Sequence, residues 1–474
     1  MRMMASSLDE LHGGAIIVVV TDIKLWAEAQ FGECELGDAR RTKRAVKVAM
    51  RAAEDPDGAT PEQMGDWAGC KAAYRLFSSE DVSFDALCTP HWTSVRGAPE
   101  GTVRLLNDTT SFSFSLKREI SGLGPVGDGI SQGFHLHSSL MVAPDTDEVL
   151  GIAGAEIFDR KSKPRGETAS QQKTRKRESE VWGRVIDGVG RPPEGSRFIH
   201  VCDAGADNFE VFCHLRQQDC GWVVRLCQKK RCYISESGDK ESLDELISKR
   251  PVAGTYQLHV SANRKQAARK ANLEVRFAQM SMPRPTQLTP FIRDSGIVEI
   301  GMTVVEVREV NPPQGVQPLR WLLSTSEQVS TFEDAWKVIE WYEKRPLIED
   351  YHKCIKTGCR VEDRQYRDAE KLKRMLGVMC IVAVRLLQLK FVSRSKKDVP
   401  AKDVVPTKWI TTLKTLRPRD RVETVRDFFR TLAKFGGFLG RKSDGEPGWI
   451  TIWRGLRKLI PCVQVAEAMS KKCG

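Results

Sequence analysis

T-V-R-L-L-N-D-T-T-S-F-S-F-S, residues 102–115, is the stretch where the chain turns from helical text to sheet. Val103, Leu105 and Leu106 make a short apolar run that reads as a buried strand, and Asp108 stands just past it. A turn with four glycines between positions 122 and 129 follows. F-H-L-H-S-S-L-M-V (134–142) then reads as a second strand and E-V-L-G-I-A-G-A-E-I-F (148–158) as a third. Three adjacent strands joined by short turns are an antiparallel meander. Beyond a basic loop (160–177) and a helix near 178–189, R-F-I-H-V-C-D (197–203) reads as a strand ending on Asp203. A helix over 208–217 and a strand over 222–227 come next.

Two aspartates, Asp108 and Asp203, thus stand at the C-terminal ends of apolar strands. In sheets with helices on their faces, that edge is where sites are built. A single aspartate there is ordinarily a cap or turn residue. The acid that changes this reading lies in Y-E-K-R-P-L-I-E-D-Y-H-K-C-I-K, residues 342–356. Pro346 suits a first helical position, which places Glu349, Lys353 and Lys356 on one helix face, with Tyr342 and Arg345 approaching from the preceding chain. By itself this is equally a solvated helix with ion pairs. Taken with Asp108 and Asp203, Glu349 in its basic setting completes a three-carboxylate set. Oxygen ligands of this kind suit Mg²⁺, with phosphate oxygens and water filling the shell.

Residues 230–330 alternate polar and apolar at period two, as in L-E-V-R-F-A and V-E-I-G-M-T-V-V-E-V-R-E-V, and read as a β-rich insertion. It ends in P-L-R-W-L-L-S-T-S, where Trp321 taken alone is a core residue on a strand. Helices return at 332–342 and 347–356, and a long one over 367–390 carries an apolar stripe. Its run 376–389 contains Arg385 and reads as a buried helix. Pro400 and Pro406 mark a linker before three further helices (409–416, 422–435 and 449–470). At the other end, helical text starts at Ile23. A second helix carries Arg40, Arg41, Lys43 and Arg44 behind Asp38 as a cap, and a third spans 61–77. The four cations suit DNA backbone contact or, equally, a solvated face.

The 474 residues carry a formal charge of +12 and a pI near 9.1. The charge is patchy: residues 394–474 hold 19 Lys and Arg against 8 acids, and residues 160–177 hold 8 against 1. A polyanionic partner, nucleic acid first, follows from that distribution. The thirteen cysteines form no C-x-x-C and no zinc-finger spacing, which points to reduced thiols in a cytosolic compartment. The run 15–20 is too short to cross a membrane, so no membrane partner is expected.

Several stretches in order resemble the insertion-sequence-four family of bacterial DDE cut-and-paste transposases. They are A-Y-R-L-F (73–77), N-D-T-T-S-F-S (107–113), V-C-D-A-G-A-D (201–207), V-V-R (223–225), N-P-P-x-G-x-x-P-L-R-W-L-L-S-T-S (311–326) and A-V-R-L-L-Q-L (383–389). The signature tyrosine, arginine, glutamate and lysine match Tyr342, Arg345, Glu349 and Lys356. The resemblance covers about positions 26–389, with a weaker tail. It implies an α/β fold: an RNase H-like mixed-sheet core over 81–395 with the β-rich insertion at about 230–330. A helical DNA-binding domain (25–80) after an extension (1–24) and a helical C-terminal domain (396–474) for DNA contact and dimerisation would flank it.

The resemblance further implies that Asp108, Asp203 and Glu349 bind two Mg²⁺, with Mn²⁺ as substitute. Tyr342, Arg345, Lys356 and Arg225 would contact DNA phosphates, with Lys353 on the same face, and Trp321 would stack on a base flipped from the duplex. Partners would be double-stranded transposon ends and target DNA, bound by a synaptic homodimer at the nucleoid of a bacterial cytoplasm. The family's type member has tryptophan and arginine where this chain has Pro346 and Leu347, so the second base-stacking contact is not carried over. An inactive transposase-derived regulator and a structure-specific nuclease on the same fold are the competing readings.

Overall fold

The computed structural model describes residues 22–470, apart from 98–99, 128, 144–145, 161–165, 167, 169–177, 229, 261–266, 396 and 442–443. Most of the basic loop 160–177 and nearly all of the N-terminal extension lie outside the described residues.

Five helices open the described residues. The Asp22 carboxylate caps α1 (Ile23–Phe31), and Asp38 caps α2 (Ala39–Glu54) as the sequence suggests. α2 buries Ala45, Val48, Ala49 and Ala52 and turns Arg40, Lys43 and Lys47 outward. The single helix expected over 61–77 is in fact two, α3 (Thr60–Met64) and α4 (Trp67–Ser78). Gly65 divides them at φ +74°, a conformation that costs a residue with a Cβ, and Asp66 restarts the helix by accepting the Gly69 N–H at 2.6 Å. α5 (Phe84–Arg96) contains Pro90 and leads into the sheet.

The sheet begins with β1 (Gly101–Phe114), β2 (Gly124–Val126), β3 (Ser131–Val142) and β4 (Val149–Phe158). After α6 (Glu180–Val189) come β5 (Ser196–Cys202), α7 (Phe209–Gln217) and β6 (Gly221–Arg225). The meander β1–β3–β4 is antiparallel, while β1, β5 and β6 run parallel, so five strands lie side by side in the order β4-β3-β1-β5-β6.

The next segment supplies β7 (Cys232–Ser235), β8 (Lys240–Ser242), α8 (Leu243–Ser248), β9 (Gly254–Val260), β10 (Arg269–Pro283), α9 (Pro290–Asp294), β11 (Glu299–Val310) and β12 (Arg320–Thr325). It is β-rich as its period-two text requires, yet it is no separate sheet. β12 pairs antiparallel with β6, Leu323 opposite Arg225, so the segment prolongs the first sheet into one of 12 strands.

Strand alternation sends side chains into two cores. Val103 and Leu105 of β1 join Phe198, Val224 and the helices α6 to α9 on one face. Leu106, Phe112 and Phe114 join the other face. There they meet α10 (Phe332–Glu343), α11 (Pro346–Lys353) and the long α12 (Ala369–Ser395). α12 is long and apolar enough to cross a membrane, but most of it is buried inside the protein, as its run 376–389 suggests. It touches N-terminal helices, β4 and two of the last helices, α14 (Val425–Phe435) and α15 (Trp449–Ser470), while α13 (Thr407–Leu416) packs on α15. Leu376 and Leu387 of α12 are fully buried, and truncating such a residue to alanine costs about 2–5 kcal/mol. The same core thus holds both chain ends against the sheet.

Candidate active site

The parallel ladder between β1 and β5 ends with Asn107 opposite Cys202. The next residue on each strand is an aspartate, so Asp108 and Asp203 stand side by side one step beyond the last shared pair. Neighbouring strands lie about 4.8 Å apart. The expectation that β1 ends before Asp108 is wrong: the strand runs on to Phe114, and Asp108 stays paired with Ser138 of β3. Thr109 and Ser111 are ladder residues here. Their hydroxyls hydrogen-bond Nδ1 of His137 and His135 across the strand pair, at 2.8 and 2.9 Å. Asp203 does stand just past its strand, where its Oδ1 accepts the Gly205 N–H at 2.7 Å.

Asp207, at the end of the same turn, has a fully buried carboxylate that the spacing of acids did not single out. It accepts the N–H groups of Cys227 at 2.8 Å and Gln228 at 3.1 Å and pairs with Arg231. The turn bearing Asp203 is thereby pinned to the chain leaving β6. Its partners lie at least 20 residues along the chain, beyond the reach of a local reading. The only hint is its place in D-A-G-A-D.

Arg345, between α10 and α11, gathers the third acid. Its Nη2 donates to Glu349 Oε1 at 2.8 Å, and its Nη1 lies 3.4 Å from Asp108 Oδ2. Burial raises the Asp108 carboxyl to about 6. The Thr109 N–H and Arg345 oppose that rise, while Asp203 and Glu349 add to it. Burial works against the Arg345 charge, but Asp108, Tyr342, Asp203 and Glu349 hold the guanidinium above its ordinary range. Asp108 is only 18% exposed at its side chain, against 47% for Glu349, so the cluster opens on the helix side.

The Tyr342 phenol is raised by burial, with Arg225 and Arg345 acting in the opposite sense. Its ring centroid lies 6.1 Å from that of Trp321, which is half-buried on β12. The α-helix expected through Lys356 gives way to a π-helical turn, Cys354–Gly358, which sets Lys356 Nζ 5.7 Å from the Phe112 ring of β1. Lys353 does not join this group; it is exposed and pairs with Asp350 at 3.8 Å. The structure therefore gathers Asp108, Asp203, Glu349, Arg345, Tyr342, Arg225 and Trp321 at one edge, sets Lys356 over Phe112 farther along β1 and leaves Lys353 outside.

Three carboxylates suit a hard divalent cation, and burial, with Asp203 and Glu349 adding to it, raises the Asp108 carboxyl. Among the described residues, however, no three His, Cys, Asp or Glu side chains stand close enough to share one ion. The Arg345 guanidinium bridges Asp108 and Glu349 instead.

On α2, Arg40 folds back onto the capping Asp38 carboxylate at 2.8 Å. Arg41 donates to the Leu36 carbonyl at 2.8 Å and pairs with Asp81 at 2.6 Å, so it braces the N-terminal fold. Lys43 is exposed and Arg44 half-exposed, and neither makes an ion pair among the described residues. Of the four, these two are available to a phosphate.

Comparison with known proteins adds two matches. Residues 23–82 match the family described as Transposase DNA-binding, and residues 381–472 match the Transposase Tn5 dimerisation domain. The solved structure of a piggyBac transposase synaptic complex with hairpin DNA is similar at 10% identity and a TM-score of 0.40, covering 95% of this chain and 85% of that one. A likeness at that level carries no argument. The two family matches support a transposase that binds DNA and dimerises, and they lie at the chain's ends, outside the acid cluster.

Proposed function

We propose that the chain is a cut-and-paste DNA transposase of the insertion-sequence-four type, with Asp108, Asp203 and Glu349 as catalytic carboxylates on an RNase H-like core. One observation carries the reading: an aspartate on β1, one just past the adjacent parallel β5 and a helix-borne glutamate lie around Arg345, which is 3.4 Å from Asp108 and 2.8 Å from Glu349. The order β4-β3-β1-β5-β6 with β1, β5 and β6 parallel supports the RNase H-like core. The transposase segments at both ends support the class of reaction.

Magnesium, or manganese in its place, would be held by Asp108, Asp203 and Glu349, two ions to a site, and would supply activation of the attacking oxygen and charge stabilisation of the leaving one. The protein's own groups hold the substrate. Arg225 and Tyr342 present donors for phosphate oxygens beside the carboxylates, and Lys356 offers a further one from over Phe112. Trp321 offers an indole face for a base unstacked from the terminal pair, and stacking offsets part of the cost of flipping it.

Water attacks the phosphodiester at a transposon end, the bond from phosphorus to the 3′ oxygen breaks, and that oxygen leaves as a hydroxyl with a proton. The hydroxyl attacks the opposite strand to give a hairpin, water reopens it, and the freed 3′-OH attacks target DNA. Each step exchanges one phosphorus–oxygen bond for another, so one site serves all of them. In the synaptic homodimer each catalytic core cuts the end bound mainly by its partner.

The test is strand cleavage by Asp108→Ala. Mg²⁺-dependent nicking of end DNA falls to background while DNA binding stays within about twofold. Retained nicking removes Asp108 from the chemistry, and a wild-type chain that binds ends without nicking them is an inactive regulator.

A further inference from the structure

We propose that Arg345 is a displaceable counter-ion: in the DNA-free protein its guanidinium stands in for metal charge between Asp108 and Glu349, and it moves onto a DNA phosphate as the cation enters. The inference rests on the three-carboxylate reading above.

The geometry is that of a holder that can let go. Arg345 is hydrogen-bonded to Glu349 at 2.8 Å, but toward Asp108 it offers Nη1 at 3.4 Å, and that nitrogen is buried without a hydrogen-bond partner. Its main chain is fixed. The Arg345 N–H donates to the Tyr342 carbonyl at 3.0 Å, and Pro346 follows at the start of α11. Movement is therefore confined to the long side chain, whose planar fork matches two phosphate oxygens at once.

Three neighbouring lysines are already engaged by acids outside the cluster. Lys344 pairs with Asp147, and both Lys353 and Lys390 pair with Asp350. Among the described residues Arg345 alone makes ion pairs with the acid cluster. A divalent ion binds carboxylate oxygens at about 2.0–2.1 Å if it is magnesium, which sets two positive charges against the guanidinium. The ion and Arg345 cannot both hold the Asp108–Glu349 pair. A phosphate that draws Arg345 away frees the carboxylates, so DNA and the cation favour each other's binding by the same factor. The same exchange keeps the DNA-free protein from assembling a competent site.

The experiment measures Mn²⁺ binding to the full chain without DNA, by calorimetry and by the electron-spin signal of free Mn²⁺. It compares wild type, Arg345→Gln, Arg345→Lys and Asp108→Asn. We expect Arg345→Gln to bind Mn²⁺ at least tenfold more tightly than wild type, Arg345→Lys to stay near wild type, and Asp108→Asn to lose the site. Because Arg345→Gln leaves the acids uncompensated, its melting temperature is followed as well. In chelator it melts below wild type, and Mn²⁺ raises it by more than it raises wild type, which a merely structural arginine would not produce. Equal or weaker Mn²⁺ binding by Arg345→Gln, with binding still lost in Asp108→Asn, overturns the counter-ion role and leaves the carboxylate site intact. No Mn²⁺ bound by wild type or Arg345→Gln overturns both.

Discussion

Asp108→Asn should make the metal-free, DNA-free protein more stable. The Asp108 carboxyl titrates at about 6 against an ordinary 3.8, chiefly because burial disfavours its charge. That gap is roughly two pH units, and at about 1.4 kcal/mol each it amounts to about 3 kcal/mol. The sign follows from proton binding. Between the two values the unfolded chain has already released this proton while the folded protein keeps it. Stability is therefore fully present below about 3.8, falls as pH rises through about 6, and stays lowered above that. Asparagine carries no charge to bury, and its carbonyl can still accept the Thr109 N–H that Asp108 accepts at 2.8 Å.

The assay is the melting temperature of wild type and Asp108→Asn in chelator, from pH 4 to pH 8. A chain of this length unfolds with an entropy of about 1 kcal/mol per kelvin near its midpoint, so about 3 kcal/mol raises the melting temperature by about 3 °C. The advantage of Asp108→Asn should be full at pH 8, about half at pH 5, and close to nothing at pH 4. Parallel curves across this range, or a variant less stable at pH 8, would refute the argument that the site stores uncompensated charge.

The other predictions follow from single contacts. Asp207→Asn removes the charge that pairs with Arg231 inside the fold; breaking a buried pair costs about 3–5 kcal/mol. Cleavage should fall with the loosened Asp203 turn, and added Mg²⁺ should restore part of it, which a titration of rate against Mg²⁺ would show. Trp321→Ala should leave the first nick intact but slow hairpin formation by about tenfold or more, given stacking worth about 1–3 kcal/mol. Substrates nicked in advance separate those steps, and equal losses at both would deny Trp321 its place at the flipped base.

What local sequence could and could not reveal divides along physical lines. Apolar runs bounded by turns are local, and they place β3, β4, β5 and the helices on either side of Asp203 close to where they lie. Asp108 was harder, because T-T-S-F-S has the composition of a turn. Its hydroxyls are satisfied across the strand pair by His135 and His137, partners that no local pattern names. Pro90 conceals α5 in the same way: proline argues against a helix, but α5 is held by Leu87 and Cys88 in the core. The break at Gly65 is the milder case, a glycine whose positive φ is invisible until the chain must turn there.

The union of the β-rich segment with the first sheet is a tertiary decision made at Leu323 and Arg225, and it carries the functional consequence. Because β12 lies against β6, Trp321 and Arg225 belong to the same rigid sheet as Asp108 and Asp203. Glu349, Arg345 and Tyr342 belong to the helices packed over it. The acid pair is thus fixed by ladder register, while the third acid sits on α11 and the arginine in the two-residue joint, Lys344 and Arg345, that links α10 to it. Charge decides between the two placements proposed for the Arg345 side chain. With Arg345 inward, its one positive charge opposes the rise that burial gives the Asp108 carboxyl. With Arg345 on a phosphate, the carboxylates need cations of their own. On the counter-ion proposal, a substrate that supplies the phosphate completes the site it is to be cut by.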